Sequence, residues 1–372
     1  MNTTLICPSC GEQYPEDEVA WRCRCGSYLD LAFTPHFDPA SLEGPESFLR
    51  FRSVLPLSFP EKALTFGERF TPLHPMLLYG VPVRAKMDFL LTTGSFKDRG
   101  AFMMINKCRE LGITRIVEDS SGNSACAMAA YSALAGIEAH IFMPQGNSSA
   151  KTIQVHTYGA MLHKVPGNRA DCARAAEEAA KDYYYAAHTW NPYFLHGTKT
   201  VIYEIMEQSL WQAPDVIFVP VGSGSQLLGI FLGLQEMKRA GIISRYPRLM
   251  AVQSEHCAPL KSHMQGQQTP QLPKEPILAE GIAIRQPPRL RQIIEALSET
   301  GGETVTVTDQ QIVDALKASA RQGIYIEPTS AAAVAAVGQF KGRLHKKDKV
   351  VVILTGHGLK ATPRIEKIMD NS

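Results

Sequence analysis

Lys97 is the residue from which a chemistry can be built. It stands in the segment Thr93-Gly94-Ser95-Phe96-Lys97-Asp98-Arg99-Gly100, between a tight turn and the apolar stretch 101–105, which reads as a helix. A lysine fixed and partly buried there has a lowered pKa, and its free amine can form a Schiff base with a carbonyl cofactor. The same residues also fit a surface lysine beside an Asp–Arg pair, so the segment alone does not decide. Three Gly/Ser-rich turns bear on the choice: SSGNS at 120–124, GSGS at 222–225 and TGHG at 355–358. In the second, Gly222, Ser223, Gly224 and Ser225 follow VIFVPV and precede LLGIFLGL. Small residues in that place let consecutive amides point inward at a helix N-terminus, a cradle for phosphate. The spacing fails the GxGxxG dinucleotide fingerprint at Leu227, and no Lys-Ser/Thr follows as a Walker loop requires. In the first turn, backbone amides with the hydroxyls of Ser120 or Ser124 would hold a small anion such as an amino-acid carboxylate, and Asn123 could donate to a phenolate oxygen. Thr355, with Gly356 and Gly358 leaving room beside it, offers a neutral hydroxyl to a heterocycle nitrogen. Each turn has a plainer reading, as a helix cap or a strand-end threonine.

The elements that must position these residues alternate. Strands are expected at 115–118, 139–143, 216–219, 249–253 and 350–354, and helices at 123–134, 169–182, 201–208, 227–239, 309–321 and 328–339. Thr308 reads as an N-cap, and Pro328 opens the first turn of an alanine-rich helix. Such alternation implies an α/β fold with parallel sheets covered by helices, whose ligands gather at the carboxyl ends of strands, where the three turns lie.

Composition narrows the class. The chain has 372 residues, 45% hydrophobic and 20% charged, with a net charge of +2 and no basic run interleaved with aromatics, so no nucleic-acid partner is expected. The opening MNTTLICPSC lacks the pattern of a signal peptide, and the apolar segment 216–234 is broken by Pro220 and the GSGS turn, which argues against a membrane span. A cytoplasmic enzyme with a small-molecule substrate is the expectation. Four of the eight cysteines, Cys7, Cys10, Cys23 and Cys25, form two knuckles within residues 1–30, while the other four are scattered. Four thiolates at that spacing can enclose a structural zinc, closed to substrate, that staples a module too small to bury a core; reduced, metal-free cysteines are the alternative.

TTGSFKDRG, SSGNSA, PVGSGSQLLGI, ILAEGIAI, EPTSAAAVA and LTGHGLK, in this order, resemble the fold type II pyridoxal-phosphate enzymes of the tryptophan synthase beta family, and within them the threonine synthases. GERFTPL upstream is similar to the family's GEGxTPL. The resemblance runs from about Gly67 through Lys360 and implies two open, mostly parallel sheets flanked by helices, with a zinc-ribbon-like N-terminal module. It divides the chain into that module at 1–30, a linker and first part of the large cofactor domain at 31–99, a small mobile domain at 100–195, and the rest of the large domain at 196–372. It implies that Lys97 holds pyridoxal phosphate as an internal aldimine and that Phe96 packs near the ring. Asn123 would meet the 3′ oxygen, Gly222, Ser223, Gly224 and Ser225 the phosphate, Glu280 and Gly281 the ring face, and Thr355 the pyridine nitrogen. Ser120 and Ser124 would hold the substrate carboxylate, and Lys199 would bind substrate. A homodimer is also implied.

The implied reaction converts O-phosphohomoserine and water to threonine and phosphate. One departure bears on it. Where the family carries N-P-x-R-x-E-G-Q-K-T, this chain reads Asn191-Pro192-Tyr193-Phe194-Leu195-His196-Gly197-Thr198-Lys199-Thr200, with Phe194 in the place of an arginine that grips the substrate phosphate. Phenylalanine supplies no charge-assisted fork. Lys199, His188 and His196 remain as candidates, and ammonia-lyase (dehydratase) or β-replacement chemistry on another amino acid is the alternative. A nucleotide-binding oxidoreductase and a non-catalytic interaction protein fit less well: the first lacks its fingerprint, and the second would not be expected to keep both Lys97 and the phosphate turn.

Overall fold

The computed structural model describes residues 3–370 apart from 16, 121, 146–149 and 274–275. The chain forms two compact units, one of residues 1–70 and 97–200, the other of residues 71–96 and 201–372. Residues 31–70 depart from expectation: they group with 97–200 and not with the larger unit, as do residues 196–200.

The larger unit is built on a six-stranded sheet in the order Glu303–Val307, Arg248–Ser254, Val216–Pro220, Val350–Ile353, Val81–Lys86, Leu73–Leu78. All neighbours are parallel except the last pair, an antiparallel hairpin at the edge. Val216–Pro220 lies third in that order and every residue in it is buried, as a continuous apolar run in a covered parallel sheet should be. The helix Pro328–Phe340 shares one core with this sheet. Its alanines, wholly or almost wholly buried, let its backbone approach the strands closely. Thr308 caps Asp309–Ala320 through a capping box with Gln311, one residue pattern that names its own helix start.

The smaller unit holds a four-stranded parallel sheet, ordered Met161–Val165, Glu138–Pro144, Arg115–Glu118, Tyr184–Tyr185. It also holds the N-terminal module, a three-stranded antiparallel sheet of Gln13–Pro15, Thr4–Ile6 and Asp30–Ala32. The helices Lys97–Glu110 and Pro192–Thr198 lie against each other at two glycines. A Cβ on Gly100 would stand 2.3 Å from the Phe194 ring, and one on Gly197 would stand 2.1 Å from the Arg99 carbonyl oxygen. Among the described residues no helix is long and apolar enough to cross a membrane.

Candidate active site

Each turn singled out in the sequence follows the carboxyl end of a strand. In the larger unit, two loops more than 250 residues apart are laced together. The Phe96 N–H donates to the Thr355 carbonyl at 2.9 Å and the His357 N–H to the Gly94 carbonyl at 3.0 Å, while Lys360 Nζ donates to the Thr93 carbonyl at 2.6 Å. Ser95 and Gly356 complete a bridge. Gly94, with φ +82°, makes the turn that brings the chain there. The residue next in the chain after this lacing is Lys97, which opens the helix Lys97–Glu110 instead of preceding it.

Ser330 sets the state of Thr355. Its Oγ accepts the N–H groups of Thr355 at 2.8 Å and Gly356 at 2.9 Å, which occupies both lone pairs. Its own proton then goes to Thr355 Oγ1 at 3.0 Å or to the Gly356 carbonyl at 3.2 Å. Ser330 has no further capacity to accept, so the Thr355 hydroxyl proton is left for another acceptor. An unprotonated pyridine nitrogen is such an acceptor.

The GSGS turn fits a phosphate. Gly224 is the N-cap of Ser225–Arg239 with φ +85°, and a Cβ there would meet Ile293 at 2.2 Å. A Cβ on Gly222 would meet Ile282 Cα at 2.9 Å and the Gly281 carbonyl at 3.0 Å. Gly222 is therefore small because the two turns touch, and Gly281 because a Cβ there would meet Thr329 Oγ1 at 2.7 Å. Gly281 also donates its N–H to Thr329 Oγ1 at 3.2 Å. Ser223 and Ser225 are buried, and so is Gln226, whose side-chain oxygen and nitrogen both lack a hydrogen-bond partner among the described residues, as does Ser95 Oγ. Buried polar atoms left unpaired at the start of a helix are what a ligand's oxygens would satisfy. Neither Gln226 nor Ser95 has a local pattern that marks it as a ligand; the signal the chain offers at 226 is a polar residue inside an otherwise apolar helix start. Glu280 is exposed and paired with Arg364 at 2.7 Å, so its carboxylate is committed to that cation.

In the smaller unit, Lys97 Nζ lies 5.6 Å from the centre of the Phe194 ring, and the His188 ring lies 5.7 Å from it. Phe194 is wholly buried. Its ring fills the space over Gly100, so it gives the lysine an apolar floor where an arginine would have given a second charge. Arg99 donates to Thr200 Oγ1 at 3.0 Å and is buried with Asp98. Lys199 is also wholly buried, its Nζ 5.1 Å from the Phe33 ring centre.

The SSGNS turn leads from the strand Arg115–Glu118 into the helix Asn123–Ala135, with Gly122 as N-cap. Ser121 lies outside the described residues. Ser120 Oγ accepts the Gly122 N–H at 3.2 Å. Ser124 Oγ donates to Glu118 Oε1 at 2.8 Å, and His188 Nδ1 lies 2.8 Å from the same oxygen. Burial pushes the Glu118 carboxyl up, to about 7, against the lowering effects of Ser124, Arg169, Lys97 and His188. His188 is held well below the usual histidine range by burial and then by the charges of Lys97 and Arg169, so the imidazole is neutral and its Nδ1–H donates to the carboxylate. Glu118 was not singled out in the sequence. Its partner His188 is 70 residues away, and no local pattern joins the two.

The four cysteines of the N-terminal module come together, all their sulfurs within 4.8 Å of one another. Cys7 and Cys25 are 3.6 Å apart and Cys10 and Cys23 3.5 Å apart, spacings close to the edge of a tetrahedral thiolate site. Tyr14 OH donates to Cys23 Sγ at 3.2 Å.

A family profile for pyridoxal-phosphate-dependent enzymes matches residues 64–356. The chain belongs to that family and is a pyridoxal-phosphate-dependent enzyme. It is 32% identical to the threonine synthase of Methanocaldococcus jannaschii, over 95% of this chain and 92% of that one. It is 35% identical to the threonine synthase of a Synechocystis species, over 83% and 82%. Among solved structures, the L-serine ammonia-lyase of the fungus Rhizomucor miehei superposes with a TM-score of 0.71 at 21% identity, covering 81% of this chain and 98% of its own, a likeness of fold. The α/β architecture and the cofactor class expected from the sequence are thereby established.

Proposed function

We propose that this enzyme is a lyase of threonine synthase type that converts O-phosphohomoserine and water to threonine and phosphate. The observation that carries the cofactor assignment to individual residues is the lacing of 93–96 to 355–360, which fixes the backbone from which Lys97 projects. Pyridoxal phosphate, when bound, acts as an electron sink for the carbanion at the substrate α-carbon. Lys97 would anchor it and carry protons at the α and β carbons. Gly222, Ser223, Gly224 and Ser225, with Gln226, would hold its phosphate; Thr355 would donate to its ring nitrogen; Asn123 would meet its 3′ oxygen; Phe96 and Gly281 would flank the ring. Ser120 and Ser124 would receive the substrate carboxylate. The names and coverage of the curated relatives support the reaction. A second reading, threonine or serine ammonia-lyase, is favoured by Phe194, whose ring is committed to Gly100 and offers no charge to a substrate phosphate. We further propose that Cys7, Cys10, Cys23 and Cys25 bind one structural zinc, on the strength of their converging sulfurs.

The test is spectroscopic first. Purified protein given the cofactor should show a visible imine band that Lys97→Ala removes; a wild type without the band sinks the assignment. Threonine and phosphate formed from O-phosphohomoserine support the first reading. A 2-oxoacid from threonine or serine, with O-phosphohomoserine inert, supports the second. Elemental analysis should find zinc in wild type and lose it in a Cys7→Ser/Cys23→Ser variant; metal-free wild type purified without chelator would refute the zinc site.

A further inference from the structure

The turn assigned to the substrate carboxylate has a buried carboxylate behind it. Glu118 ends its strand wholly buried; Oε1 receives both Ser124 and His188, and Oε2 has no hydrogen-bond partner among the described residues. An unpaired buried oxygen of this kind costs free energy while it is charged and is the natural place for a proton. An anion arriving beside Ser120 and Ser124 would raise that cost, because two carboxylates sharing one site cannot both stay ionised cheaply.

We propose that Glu118 takes up a proton on Oε2 when the substrate carboxylate arrives beside Ser120 and Ser124, so that the substrate binds the protonated form of the site. Glu118 is thus a positioning residue that acts through Ser124. While Glu118 is ionised, the Ser124 hydroxyl proton is held in a charge-assisted bond; once Glu118 is neutral that bond is about half as strong, and the hydroxyl can turn to the incoming anion. One O–H bond forms on Glu118 and one proton leaves solvent, with no other exchange. The groups around it fit this role. Asp119, next in the chain, is itself raised by burial and then by Glu118. Tyr185, on the neighbouring strand, bonds to Asp119 and is raised by burial. Arg169 supplies a nearby positive charge, and His188 is kept neutral. His140, on the other neighbouring strand, is turned toward Glu138 and His163.

The inference rests on the carboxylate-turn reading above, and its test separates the two. Protein labelled with carboxyl-13C glutamate, with Glu118 assigned by its loss in Glu118→Gln, is titrated with and without L-threonine or L-serine, whichever perturbs the cofactor band. The Glu118 midpoint should lie near neutrality in the free protein and rise by about one pH unit or more with the amino acid bound. In parallel, the amino acid's Kd in wild type should weaken by about tenfold or more in all between the free and bound midpoints, level off above the bound one, and stay flat in Glu118→Gln. A Glu118 midpoint below about pH 5, or one unmoved while the band responds, overturns the inference. The same pH dependence of Kd in both proteins overturns it too. If Glu118→Gln does not fold, Glu118→Ala takes its place in the binding series and should also give a flat profile, because either change removes the carboxyl that takes up the proton. A protein with no cofactor band under any condition refutes the cofactor reading and takes this inference with it.

Discussion

Two buried carboxylates in this molecule have opposite surroundings. Glu204, in the larger unit, faces a cation whose bonds are complete: Lys86 Nζ donates to Glu204 Oε2 at 2.6 Å, to the Thr71 carbonyl at 2.7 Å and to Gln208 Oε1 at 2.9 Å, and the Thr71 N–H also donates to Glu204 Oε2 at 3.2 Å. Three ammonium protons meet three acceptors. Glu118, in the smaller unit, has both donors crowded on one oxygen and none on the other. A buried charge whose bonds are complete helps specify a fold, since it tolerates one arrangement only. A buried charge whose bonds are incomplete has kept capacity for something that arrives later.

That contrast can be broken by substitution. Glu204→Gln should have the largest effect, a loss of about 3–5 kcal/mol in unfolding free energy, because the Lys86 ammonium is left buried without its counter-charge. Chemical denaturation at several pH values between 5 and 8 should show the loss at each; a loss under about 1 kcal/mol would mean the network is not closed in solution.

Glu118→Gln should behave differently, with an effect that depends on pH. A carboxyl whose folded pKa is raised binds more protons folded than unfolded, so its stabilising contribution is full below the unfolded value of 4.5 and is lost as pH rises through about 7. Relative to wild type, Glu118→Gln should therefore gain stability between pH 5 and pH 8, by about 2–3 kcal/mol, measured as the difference between two denaturation series. His188 has a depressed pKa and loses stability in the opposite direction, as pH falls, but it is present in both proteins and largely cancels. A difference that does not change with pH would place Glu118 with Glu204 as a structural charge. The smallest effect is expected from Ser124→Ala, about 1 kcal/mol near pH 8 and less near pH 6, because the lost hydrogen bond is charge-assisted only while Glu118 is ionised. Equal losses at both pH values would argue that Ser124 does not sense that ionisation.

The sequence disclosed these two regions unequally. Strands such as Arg115–Glu118 and Val216–Pro220, and the cap at Thr308, were legible because apolar runs and capping boxes are local signals. The edge hairpin Leu73–Leu78 and Val81–Lys86 was not, since Pro75, Pro82, Arg84 and Lys86 interrupt any alternation of apolar and polar residues. Lys86 can sit inside a sheet only because Glu204, far along the chain, meets it there. In the candidate site, lysine, glycine turns and threonine were found as motifs. What joins them was hidden, because Ser330 under Thr355, His188 beside Glu118 and Phe194 over Gly100 are all partners at long range.

The contact between Phe194 and Gly100 also constrains how this enzyme can have diverged. The ring occupies the space a side chain at position 100 would need, and Gly197, one turn further along the same helix, is held small by the Arg99 carbonyl. Positions 100, 194 and 197 are therefore not independent letters. An arginine introduced at 194 would have to carry its charge out of the apolar slot over Gly100 and give up the packing that the ring supplies there. Phe194 thus serves two ends with one ring, the apolar floor beneath Lys97 and the helix contact that maintains it.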